Sequence, residues 1–121
     1  MRHTSLLACL FYLLAGQINA QSYAGTGGII FDDGRINDFV IEINDLSPDT
    51  LSAAHGLVSV CLKITHSWLS DLDVRLISPS GANMMLASGL GADTDDYDNT
   101  CFTMTVPVHI LDGVPPYNGA Y

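Results

Sequence analysis

The stretch VSVCLKITHSWLSDLDVRLISPSG, Val58 to Gly81, decides the fold. Val58, Val60, Leu62 and Ile64 alternate with Ser59, Cys61, Lys63 and Thr65, the period of a half-buried strand. His66 to Asp71 breaks that period. Leu72, Val74 and Leu76 then resume it against Asp73, Arg75 and Ile77. Ser78-Pro79-Ser80-Gly81 is turn chemistry, since proline presets φ and glycine tolerates φ > 0. The expectation is a β-hairpin of two strands, each with one apolar face.

The same pattern continues on both sides. Asp38 to Ile43 is expected as a strand, with Phe39, Ile41 and Ile43 on one face. Met84-Met85-Leu86 is expected as a short strand. Another surrounds Cys101, with Phe102, Met104 and Val106 on the face opposite Thr103 and Thr105. Outside the first 20 residues, no stretch sustains a helical period over ten residues. Short strands with turn signals between them predict an all-β sandwich or barrel.

Ile64-Thr65-His66, Asp71-Leu72, Val74, Leu76 and Ser78-Pro79-Ser80-Gly81 resemble the signature of the P domain, also called Homo B. That domain follows the catalytic domain in subtilisin-like proprotein convertases and recurs in bacterial secreted proteins. The resemblance extends more loosely over Ile29 to Tyr121. It implies a jelly-roll-like antiparallel β-sandwich, a partner that is a protease or other secreted enzyme, and association with serine endopeptidases. Pro115 to Tyr121 resembles a crossover in the middle of that domain. The expectation is therefore the first part of a P domain over 21–121, with an incomplete sandwich and an unpaired sheet edge.

Length and charge bound the remaining choices. The chain has 121 residues, room for one domain. Thirteen acidic residues face four basic ones, for a net charge of −9. Nucleic acid, which needs a basic footprint, is excluded as a partner. Met1 to Ala20 has a basic start at Arg2, an apolar run from Leu6 to Ala15 and a small residue at Ala20. It is expected to be a signal peptide, because the apolar run is too short to span a bilayer. Leu6-Leu7-Ala8-Cys9 resembles a lipobox, but apolar sequence continues beyond Cys9. The mature chain is thus expected to be secreted or held at the cell surface.

Cleavage after Ala20 leaves Cys61 and Cys101. Each lies on the more polar face of its strand, so a disulfide forms if those strands are neighbours. Two free thiols, or a two-cysteine metal site, are the alternatives. Asp93, Asp95, Asp96 and Asp98 sit in a loop expected over Ser88 to Asn99. Four hard oxygen donors suit calcium, although the glycine and closing glutamate of an EF-hand are missing. The other reading is a solvated acidic loop.

His66, Asp71 and Asp73 lie near several serines, but no G-x-S-x-G elbow supports a catalytic triad. No catalytic residue is expected. His66 and Asp71 are expected to brace the turn, His66 by hydrogen bonding and Asp71 as a side-chain cap. Trp68 serves either as a core or rim residue or as an exposed aromatic for stacking. Three functions compete: a non-catalytic module stabilising a partner enzyme, a calcium-assisted adhesion or carbohydrate-binding module, and a small hydrolase.

Overall fold

The computed structural model describes residues 20–121; the expected signal peptide lies almost wholly outside the described residues. The described chain divides into two compact units, with the boundary between Asp49 and Thr50.

The first unit contains no strand among its described residues. Asp38 to Ile43, expected as a strand, has no ladder partner among the described residues. A strand exists only where its N–H and C=O groups meet a second chain segment. Here the side chains of Phe39 and Ile41 lie against Gly28 and Gly25, so closely that a Cβ at either glycine would approach them within 3 Å. Both local and longer-range bonds occur in this unit, among them one from the Tyr23 hydroxyl to Asn44 O at 2.9 Å. Arg35 donates to Asp33 across 2.9 Å, and Asn37 accepts from the Phe31 N–H.

The second unit is all-β, as expected. Its strands are β1 (Ser59–Ile64), β2 (Asp73–Ile77), β3 (Asn83–Ser88), β4 (Tyr97–Thr103) and β5 (Gly119–Ala120). They form two sheets, one in the order β1-β4-β5 and the other pairing β2 with β3. β1–β4 and β2–β3 are antiparallel, whereas β5 runs parallel to β4.

The expected hairpin is therefore displaced by one strand. β1 and β2 lie in different sheets, and the hairpin is β2–β3, turned by Ser78 to Ala82. Gly81 has φ +84, and its N–H donates to Ser78 O, as the Ser-Pro-Ser-Gly chemistry requires. Between β1 and β2 the chain makes a 3-10 turn at Leu69–Asp71 and carries Leu69 into full burial. Alternation in two successive segments does not distinguish a hairpin from an arch that crosses between layers. An apolar residue inside the connector favours the arch, because it has to be buried.

Leu69, Ala87, Tyr97, Ile110 and Tyr117 form the core; Leu62, Ile64 and Phe102 pack onto it from one sheet, Val74 from the other, and Leu72 from the residue just before β2. A bulge in β4 shapes it. Leu62 pairs with Thr100 and Ile64 with Tyr97, so Asp98 and Asn99 together oppose Lys63. The extra residue reverses the alternation, turning both Tyr97 and Thr100 inward. Asn99 takes φ +54 to allow it. Thr100 Oγ1 donates to Tyr117 O across 2.7 Å, and the rings of Tyr97 and Tyr117 stack at 5.5 Å.

The Tyr97 hydroxyl is buried and has no hydrogen-bond partner among the described residues. Burying such a group without a partner costs about 1–3 kcal/mol. Tyr97→Phe is expected to raise stability by about 1 kcal/mol in urea unfolding. Thr100→Val is expected to lower it by about 1–3 kcal/mol, because the Tyr117 carbonyl loses its donor. A clear loss of stability in Tyr97→Phe would show that the hydroxyl has a partner in solution.

Candidate functional site

Cys61 and Cys101 are direct cross-strand partners, with Cα atoms 4.0 Å apart, and they form a disulfide. The bond lies on the outer face of β1–β4, where the polar face of each strand placed it. It closes a loop with a sequence separation of 40 that contains β2, β3 and the whole motif. Closing a loop of that length stabilises the fold by about 4 kcal/mol on the chain-entropy model.

The motif's connector lies beside the acidic loop. His66 N–H donates to Asp96 Oδ1 at 3.0 Å, and Asp96 N–H donates to His66 O. Leu69 N–H donates to Thr94 O, Ser70 N–H to Ala92 O, and Gly89 N–H to Leu72 O. The two loops are thus zipped along 66–72 and 89–96. Gly91 permits the approach: it has φ +82, and a Cβ there would sit 3.1 Å from the Leu69 side chain.

Within the connector, His66 Nδ1 accepts from the Trp68 N–H at 3.2 Å and lies 2.9 Å from Trp68 O. These contacts tie the His66 ring to the backbone of the turn. Asp71 is not the side-chain cap that was expected; it closes the 3-10 turn through its backbone N–H to Trp68 O. Trp68 is 54% exposed, so it is no core plug. Leu72 is half-buried against the core, and Pro79 and Gly81 form the β2–β3 turn.

The four aspartates do not converge. Asp96 serves the His66 N–H, Asp98 pairs with Lys63, and Asp93 and Asp95 are exposed. Among the described residues, no group of three or more His, Cys, Asp or Glu side chains is gathered to hold a metal ion.

Sequence reasoning missed the cluster at the bulge. Lys63 Nζ lies 2.8 Å from Asp98 Oδ1, and Asn118 Nδ2 donates to Asp98 Oδ2 at 3.4 Å. The hydrogen bond from Lys63, then its charge, holds the Asp98 carboxyl below the usual carboxylate range. The hydrogen bond to Asp98, with its charge, raises the Lys63 ammonium. On the other sheet, a hydrogen bond from Ser88 across 2.6 Å lowers Asp73. Only the bulge register brings Lys63 and Asp98 together, so strict alternation carried no signal for them. His109 was also missed: its Nδ1 accepts from the Leu111 N–H and caps the 3-10 turn Ile110–Asp112.

The geometry defines a small, disulfide-bonded, two-sheet β module with a looped motif between its layers. Residues 56–113 match the family model of the proprotein convertase P-domain. The resemblance seen in Ile64 to Gly81 is thereby borne out, since those residues fall within the matched segment. No curated protein and no solved structure matches the chain. Among the described residues, no helix is long and apolar enough to cross a membrane.

The Lys63–Asp98 pair is solvent-exposed, and its contribution is therefore small. The sign follows from the two shifts. The lowered Asp98 pKa adds stability above the usual carboxylate range, and this is lost as pH falls through the folded value. The raised Lys63 pKa adds stability that is lost as pH rises through its folded value. Asp98→Asn is therefore expected to be less stable than the parent at neutral pH and low salt. The gap should close at acid pH, at strongly alkaline pH and in 1 M salt. A gap in urea midpoint unchanged by pH and salt would contradict this.

Proposed function

We propose that this chain is a secreted, non-catalytic P-domain module that packs on and stabilises a partner enzyme, by family a subtilisin-like serine endopeptidase. The observation that carries the reading is the P-domain match over 56–113. The surface supports it. Val58, Ile77 and Met84 are 61%, 57% and 51% exposed, apolar area available for burial against another protein. Export through a signal peptide over 1–20 fits the cross-strand disulfide, which persists in oxidising compartments.

A second reading, a cell-surface adhesion or carbohydrate-binding module, draws support from Trp68. Its half-exposed indole stands on the connector zipped to the acidic loop, and exposed aromatic faces stack on sugars. In that reading Asp93 and Asp95 supply oxygen ligands from the exposed loop, and calcium strengthens binding.

The test is hydrolysis by the purified chain. No peptidase activity is expected, and His66→Ala and Ser80→Ala should change nothing in a protease assay. Leu72→Ala and Val74→Ala should each cost on the order of 1–4 kcal/mol of stability by removing half-buried core contacts. Peptidase activity that survives purification and disappears in His66→Ala or Ser80→Ala, with the fold intact, would overturn the reading. Saturable glycan binding without any enzyme partner, lost in Trp68→Ala, would instead establish the second.

A further inference from the structure

We propose that Asn118 is a self-modifying site, deamidating spontaneously and thereby loosening β5 from β4. It is exposed and is followed by Gly119, also exposed. Gly119 has φ +127, and nothing lies within 4 Å of the place a Cβ would occupy. No side chain therefore crowds ring closure by the neighbouring Asn118 carboxamide, and the Gly119 N–H, a ladder donor to β4, is released whenever the two-residue pairing with Thr100 and Cys101 opens. Among the described residues, the carboxamide is held by a single bond, 3.4 Å long, to Asp98 Oδ2.

The other described asparagines lack this combination. Asn37, Asn44, Asn83 and Asn99 each precede a residue that bears a side chain, respectively Asp38, Asp45, Met84 and Thr100. The Asn37 amide is also fixed on both sides, accepting from the Phe31 N–H and donating to Arg35 O.

The chemistry needs only water. The Gly119 amide nitrogen gives its proton to solvent base and attacks Asn118 Cγ. The Cγ–Nδ2 bond breaks, ammonia leaves, and a five-membered succinimide closes. Water then adds to either imide carbonyl and reopens the ring as aspartate or iso-aspartate. One water is consumed, one ammonia is released, and nothing is oxidised.

Both products weaken the same seam. Aspartate places a second carboxylate where an amide donated to Asp98, beside the Lys63–Asp98 pair. Iso-aspartate adds a methylene to the main chain just before β5. That insertion moves Gly119 and Ala120 relative to their partners Thr100 and Cys101. The two-residue strand has little else to keep it in register, and such short terminal pairings open easily.

The experiment ages the full, disulfide-bonded chain at 37 °C and slightly alkaline pH. Chymotryptic cleavage after Tyr117 releases the segment 118–121, read by mass spectrometry. That peptide is expected to gain about 1 Da, as –OH replaces –NH2, and to split into two chromatographic species, before any other asparagine changes. Amide exchange at Tyr121 and Thr103, which bond Cys101 O and Tyr121 O, should quicken in the aged protein. Asn118→Gln aged in parallel should keep both its mass and its slow exchange. Deamidation elsewhere while Asn118 stays intact overturns the site. Modified Asn118 with unchanged exchange overturns the loosening of β5.

Discussion

The seam between β1 and β4 is the constraint on which the rest of the second unit depends. Three features fix its register within a few residues: the Cys61–Cys101 disulfide, the bulge opposite Lys63, and the Lys63–Asp98 pair. The disulfide contributes most, because it restricts the unfolded chain over a long loop. The exposed ion pair adds little energy but sits on the residue that the bulge displaces. Without the bulge, Tyr97 would point away from Thr100, and the core would lose one of its largest buried side chains.

From that seam the remaining geometry follows. The inward Tyr97 stacks on Tyr117, whose carbonyl accepts from Thr100, so the last residues of the chain are drawn along β4. Asp98 N–H donates to Pro116 O, and Thr103 N–H to Tyr121 O, at the two ends of that docking. Pro115 to Tyr121, expected as a crossover, thus covers an edge of β4 that would otherwise be open. On the far side, the loop from Gly89 to Asp96 leads into β4 and is zipped to the motif's connector. The motif is therefore a hinge between layers: Leu69 fills the space, and His66 and Asp96 hold the two loops together.

Much of this was legible in the residues. The alternation at Val58 to Ile64 and Leu72 to Leu76 marked strands, and Ser78 to Gly81 marked a turn. Cys61 and Cys101 were paired by the face they share with polar neighbours. The illegible parts have physical causes. Whether β1 meets β2 or β4 depends on Leu69, a buried residue inside a connector, and local periodicity does not register it. A bulge shifts the face of every residue beyond it, so Tyr97 and Asp98 appear on the wrong sides when alternation is assumed. The aspartates at 93–98 suggested one ligand set, but backbone donors and Lys63 claim two of them separately. Asp38 to Ile43 carries a strand's alternation without a pairing partner, and alternation alone does not supply one.

We propose that this β module acts on a partner enzyme through stability rather than through chemistry of its own, by resemblance to the P domain. It is tested most directly by the rate of thermal inactivation of a subtilisin-like serine endopeptidase from the same organism, with and without the full chain. Slower inactivation is expected in the presence of the chain, saturating with its concentration, while turnover at low temperature is unchanged. An inactivation rate indifferent to the chain at saturating concentration, or a change in turnover without any change in stability, would contradict it.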